Sequence, residues 1–132
     1  MIPMPLALTL NVCDYVLIEE TTRNVSLIGC FNGIRAPRFP FVRHPFCVFA
    51  AFTGGQGTAD VELTVTHLES DEEVYALQRE VQFPNRFVEV RILFRLAECE
   101  FPTPGAYLFT LLIDGDWAAH RRIHVHPTET NP

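Results

Sequence analysis

Residues 46–52 read Phe46-Cys47-Val48-Phe49-Ala50-Ala51-Phe52, and residues 106–113 read Ala106-Tyr107-Leu108-Phe109-Thr110-Leu111-Leu112-Ile113. A β-strand sends successive side chains to opposite faces, so each of these segments is apolar on both. A strand of that kind must be shielded twice. Its neighbours differ. In Arg86–Leu96, Val88, Val90, Ile92, Phe94 and Leu96 share one face, and Glu89, Arg91 and Arg95 share the other. Ala59–His67 likewise opposes Val61, Leu63 and Val65 to Asp60, Glu62, Thr64 and Thr66. Such alternation belongs to sheets packed on one side and wet on the other.

Four further segments read as strands: Val12–Glu19, Val25–Phe31, Val74–Phe83 and Trp117–His126. Turn residues separate them at 21–24, 54–57, 84–85 and 102–105. Asp114-Gly115 is the strongest hairpin signal, because a type I′ turn needs positive φ at both central positions. Residues 70–83 carry both patterns. Ser70-Asp71-Glu72-Glu73 fits a helix capping box, yet Tyr75, Leu77, Val81 and Phe83 fit a strand, which is the preferred reading. Eight short strands predict an all-β, antiparallel two-sheet β-sandwich, immunoglobulin-like or a C2-like Greek key. In the immunoglobulin order the strands at 46–53, 86–96 and 106–113 are neighbours in one sheet. Their outward residues Cys47, Phe49, Ala51, Leu93, Leu108 and Leu112 then form one apolar patch, a contact surface for a second copy or a protein partner. The competing expectation is that the 32–45 connection folds over it.

The chain has 132 residues, 48% apolar, which suits a single domain with an ordered core over about 6–126 and a fraying tail at 127–132. Eleven Phe, three Tyr and one Trp argue against disorder. No apolar run approaches the ~20 residues of a membrane span, and Ile2–Leu10 lacks the features of a signal peptide. A cytoplasmic protein is expected, with Cys13, Cys30, Cys47 and Cys99 reduced and mostly buried. The net charge of −6, with Arg as the only base besides His, predicts neither a nucleic-acid nor a membrane partner.

The landmarks fall in a particular order: Cys13-Asp14-Tyr15, Ser26-Leu27-Ile28-Gly29-Cys30-Phe31, Ala36-Pro37-Arg38-Phe39-Pro40, Phe52-Thr53-Gly54, Pro104-Gly105-Ala106-Tyr107 and Leu112-Ile113-Asp114-Gly115. Together they resemble a family of short, uncharacterised bacterial proteins, a domain of unknown function, from about Leu10 to Val125. The resemblance implies a small bacterial β-sandwich and carries no activity or site residue with it.

Two stretches carry candidate chemistry. The last strand puts His124 and His126 on one face, about 6.6–6.8 Å apart, close enough to share a metal. A catalytic zinc takes three protein ligands, and the sequence names no third. A transition-metal site here is the rival reading, and no cofactor is the expectation. The connection from Gly33 to Pro45 carries Arg35, Arg38, Arg43 and His44 with no acid. Arg forks bind carboxylate or phosphate, so this loop is a candidate anion or partner site. Strand parity places it beside Glu69, Asp71, Glu72, Glu73, Glu98 and Glu100, which predicts neutralisation within the domain. Asp114 and Asp116 are too few for calcium. Neither Ser26 nor Ser70 lies in a nucleophile elbow, and no phosphate-cradling glycine motif occurs. The sequence reads as a binding or assembly module without catalytic activity, ahead of a metal-dependent protein and an anion-binding one.

Overall fold

The computed structural model describes residues 4–128, all of them strand or loop. Eleven strands form: β1 (Leu6–Ile18), β2 (Val25–Cys30), β3 (Gly33–Ala36), β4 (Phe41–Val42), β5 (Phe46–Thr53), β6 (Gly57–His67), β7 (Glu73–Phe83), β8 (Val90–Leu96), β9 (Glu100–Phe101), β10 (Gly105–Ile113) and β11 (Asp116–Pro127). They make a four-stranded sheet in the order β2-β1-β5-β8, a five-stranded sheet in the order β3-β11-β10-β6-β7, and a two-stranded ladder of β4 and β9. The inward side chains of both large sheets meet in one core. Val48, Phe52 and Phe94 come from the four-stranded sheet, and Leu63, Tyr107, Phe109 and Ile123 from the five-stranded one.

Residues 73–83 are a strand, as the alternation of Tyr75, Leu77, Val81 and Phe83 predicts. Asp114 and Gly115 take φ of 50° and 84°, the positive pair that a type I′ hairpin demands. Three short strands escape the sequence reading, β3, β4 and β9. Two to four residues are too few to show a period. Strand β3 also breaks the antiparallel expectation, since it pairs in parallel with β11, Ile34 beside Val125. The expected fraying from residue 127 is corrected at its start. Pro127 pairs with Ala36, and the Thr128 N–H donates to the Ala36 carbonyl at 2.9 Å. Residues 129–132 of that expected tail lie outside the described residues.

The predicted neighbourhood of the strands at 46–53, 86–96 and 106–113 does not form. Strand β5 does pair with β8, Phe49 opposite Leu93. Strand β10 instead lies in the other sheet, between β6 and β11. Leu108 and Leu112 are therefore separated from Cys47, Phe49, Ala51 and Leu93, and the single patch is two. The first of these is also covered. Cys47, Phe49 and Ala51 are 5%, 7% and 4% exposed, although none belongs to the central core.

Their cover is the chain's own β1–β2 hairpin. Strand β1 pairs with β5 from Leu6 to Cys13 and with β2 from Cys13 to Ile18, so the two ladders share Cys13 alone. Beyond Cys13 the hairpin crosses the outer face of β5 and β8. Val16, Ile18 and Val25 line one cleft with Phe49, Arg91 and Leu93. The Arg91 guanidinium donates to the Arg23 carbonyl at the hairpin turn, at 2.8 Å. The four-stranded sheet is thus roofed by the hairpin, and the 32–45 connection, the roof considered from sequence, goes elsewhere.

A carboxylate at the buried position of Phe49 is largely desolvated, whereas one at Leu112 reaches solvent. Phe49→Glu is expected to lower the unfolding free energy by about 4 kcal/mol. Leu112→Glu, at a half-buried position, costs about 1 kcal/mol. Urea denaturation of the two variants checks the contrast.

Candidate functional site

The outer face of the five-stranded sheet is built around β10. Tyr107, Phe109, Leu111 and Ile113 point into the core and are at most 2% exposed. Alternation then directs Ala106, Leu108, Thr110 and Leu112 outward, where all four are half-buried. On one side stands β11, with His124 opposite Ala106, Arg122 opposite Leu108 and His120 opposite Thr110. A register shift between Leu111 and Leu112 brings Trp117 opposite Leu112. Trp117 is 57% exposed, and its ring meets that of His120 at 5.3 Å between centroids. Strand β3 adds Arg35 beside His126 at the outer margin. On the other side, β6 sets Thr66, Thr64 and Glu62 opposite Leu108, Thr110 and Leu112. Strand β7 then pairs Glu73 with Thr66 and Glu80 with Asp60.

The face is therefore divided. An apolar ridge of Leu108, Leu112 and Trp117 runs up its middle. Arg35, Arg122, His120, His124 and His126 stand on the β3–β11 side, and Asp60, Glu62, Glu73 and Glu80 on the β6–β7 side. Asp60 and Glu80 are direct cross-strand partners, a like-charge pair that opposes folding. Among the described residues, none of these acids forms an ion pair, and neither do Arg35 and Arg122. The charges stand unmatched on one surface. Leu108 and Leu112 were legible as outward apolar residues and Arg122 as part of the last strand's wet face, but nothing in the sequence joined Arg122 or Trp117 to the leucines. Only the pairing across β10 brings them to the leucines.

The rival sites resolve differently. The His124 and His126 rings stack at 5.9 Å with 10° between their planes. Among the described residues, no group of three or more His, Cys, Asp or Glu side chains is placed to hold a metal ion. The candidate anion loop is split up. Arg35 lies in β3, Arg38 is exposed, and Arg43 turns inward. Its guanidinium stacks over Phe31 at 4.2 Å and over Phe46 at 5.4 Å, and its Nη2 donates to Asp14 Oδ1 at 2.7 Å. His44 Nε2 stands 3.9 Å from the same oxygen. The internal pairing expected of this loop does occur, but its partner is Asp14 of β1. None of the acids at Glu69, Asp71, Glu72, Glu73, Glu98 and Glu100 takes part among the described residues. Gly29 makes room for that carboxylate, since it sits at φ 72° and a Cβ there would overlap the Asp14 carboxylate.

His67 is 5% exposed and acts as a tie between loops. The Ser70 N–H donates to its Nδ1 at 3.1 Å, which leaves the proton on Nε2 to donate to the Pro104 carbonyl, also at 3.1 Å. The four cysteines are free, with Cys13, Cys47 and Cys99 buried and Cys30 exposed. Burial pushes the Cys99 thiol up to about 12. Burial, with the neighbouring Cys30, Cys47 and Asp14, pushes that of Cys13 up to about 11.

Eleven strands in three sheets, with no helix among the described residues, define a small all-β protein. By sequence, the chain belongs to a family of unknown function, DUF6941, whose model matches residues 8–126. No curated protein matches it. Among solved structures, the Pseudomonas fluorescens alkylpurine DNA glycosylase AlkC, bound to DNA containing an abasic site analog, is similar in fold. The TM-score is 0.51 at 7% identity, over 89% of this chain. The match spans 30% of the glycosylase chain, so this domain corresponds to less than a third of that protein. The comparison corrects one expectation. Net negative charge does not exclude a nucleic-acid partner, because a protein of similar fold is held on DNA and the β11 side of this face carries exposed Arg, His and Trp.

Two outcomes follow from the buried groups. Arg43→Ala strips Asp14 of its counter-charge and two rings of their cation, and is expected to cost about 2 kcal/mol in thermal or urea unfolding. Arg43→Lys restores less than half, because an ammonium cannot span both rings and the carboxylate. The Cys13 and Cys99 thiols ionise only in the unfolded chain between about pH 9 and their raised folded values. These two thiols therefore add no pH dependence to stability below about pH 9. Between about pH 9 and 11 stability falls as pH rises, and Cys99→Ala is expected to make that fall shallower in urea unfolding.

Proposed function

We propose that this chain is a binding module that docks a protein through the outer face of its five-stranded sheet. The observation that carries the reading is the ridge of Leu108, Leu112 and Trp117, held at the centre of a sheet face that no other segment among the described residues covers. An exposed Trp beside half-buried leucines is the composition of interface centres, and polar residues on both flanks supply a rim. The face suits a flat protein surface, because a sheet offers breadth without depth. We read the fold beneath it as a two-sheet sandwich of Greek-key type, which gives this face a rigid backing. The domain acts in the cytoplasm, a setting in which the four free thiols stay reduced.

A photo-activated benzophenone side chain introduced at Thr110, between the two leucines, tests the reading in the intact protein in cells. Protein adducts are expected at this position and absent at Ser26, on the exposed side of the β1–β2 hairpin. Adducts to nucleic acid at Thr110 would move the proposal to that class of partner. No adduct at Thr110 removes the face from consideration.

A further inference from the structure

We infer that the occupant of this face is a second copy of the same chain, packed face to face about a two-fold axis that runs along β10. The inference rests on the reading of the face as a docking surface and goes further by naming what docks there.

Charge supplies the first argument. A two-fold axis lying in an interface and parallel to β10 sets the β11 side of one copy over the β6–β7 side of the other. Arg122 and Glu73 are thereby brought together, at matching heights along the strands. Arg122 and Glu73 both stand level with Leu108, the one through direct pairing and the other through Thr66. Trp117, Glu62 and Gln78 all stand level with Leu112. The axis therefore carries Arg122 of each copy toward Glu73 of the other, and lays each indole over the aliphatic stems of Glu62 and Gln78. Self-complementarity of this kind is what an isologous interface requires. Within one chain neither Arg122 nor Glu73 has an ion-pair partner. A second copy supplies the missing countercharge to both of these residues at once.

The apolar ridge gives the second argument, because it coincides with the axis. Leu108 and Leu112 of one copy meet Leu108 and Leu112 of the other, which places the apolar centre of the patch where the interface is driest. Extent is the third. Five strands about 4.8 Å apart and roughly nine residues long at ~3.3 Å each make a face of about 700 Å². That is close to the ~800 Å² each partner contributes to a stable interface. The other outward apolar residues do not compete on these terms. Tyr15, Leu17 and Ile28 lie on a two-stranded hairpin, about half that width, with no opposed charge rows beside them.

Light scattering on purified full-length protein is expected to give a mass twice the chain's 15.0 kDa at micromolar concentration. Leu112→Glu and Arg122→Glu, each confirmed folded by circular dichroism, should raise the dimer dissociation constant roughly 30-fold or more. Adding Glu73→Arg to Arg122→Glu should recover most of the loss. Leu17→Glu, on the hairpin, should leave the dimer intact. A monomer at several hundred micromolar overturns the inference, and so does a dimer broken by Leu17→Glu and not by Leu112→Glu. The benzophenone at Thr110 separates the two levels of the argument. An adduct of two chains supports the dimer, an adduct of another mass keeps the docking face but overturns the second copy, and no adduct overturns both.

Discussion

Strand β5 carries no polar side chain from Phe46 to Phe52, and the whole architecture answers the need to dry both of its faces. One face is served in the ordinary way, by the inward side chains of the opposing sheet. The other is served by β1, which leaves the ladder with β5 at Cys13 and continues as one arm of a hairpin across the outer side of the same sheet. Three buried residues, Cys47, Phe49 and Ala51, lie under that arch rather than in the central core. Transferring such side chains from water contributes on the order of 1.5–3 kcal/mol for each large one, so the arch is held down by what it covers. The Arg91 bond to the Arg23 carbonyl fixes its far end.

Asp14 and Arg43 secure the near end. Just beyond the crossing point, the Asp14 carboxylate accepts from an Arg43 guanidinium that lies over the Phe31 and Phe46 rings. The pair joins β1 to the start of β5 at the place where β1 changes ladders. An arginine that looked available for an anion from its position in a loop free of acids is thereby absorbed into the fold. The Pro-rich connection around it contributes a parallel edge strand, β3, and a short ladder, β4 with β9, instead of a cover for the sheet.

With the four-stranded sheet roofed, the sheet face left uncovered among the described residues is that of the other sheet. Its chemistry is a consequence of ladder order. Strand β10 runs between β11, rich in Arg and His, and the β6–β7 pair that carries Asp60, Glu62, Glu73 and Glu80, so the doubly apolar strand lies between basic and acidic flanks. Membership of a family of unknown function, and a fold shared with a segment of a DNA glycosylase, leave that surface as the feature from which a role is argued.

Much of this was written in local pattern. Alternation of Val61, Leu63 and Val65 with Asp60, Glu62 and Thr64 dictates a strand with one wet face. Asp114-Gly115 dictates the tight turn between β10 and β11, and the all-apolar run from Phe46 to Phe52 dictates that something must cover the second side of β5. Those are properties of neighbours along the chain, fixed by a period of two and by the steric freedom of particular residues. Which strands stand side by side is another matter, because ladders between distant segments are chosen by packing and leave no mark in either segment alone. Hence the placement of β10 away from β5, the arch of β1 at Cys13, the capture of Arg43 by Asp14, and the meeting of Trp117 with Leu112 belonged to the tertiary structure alone.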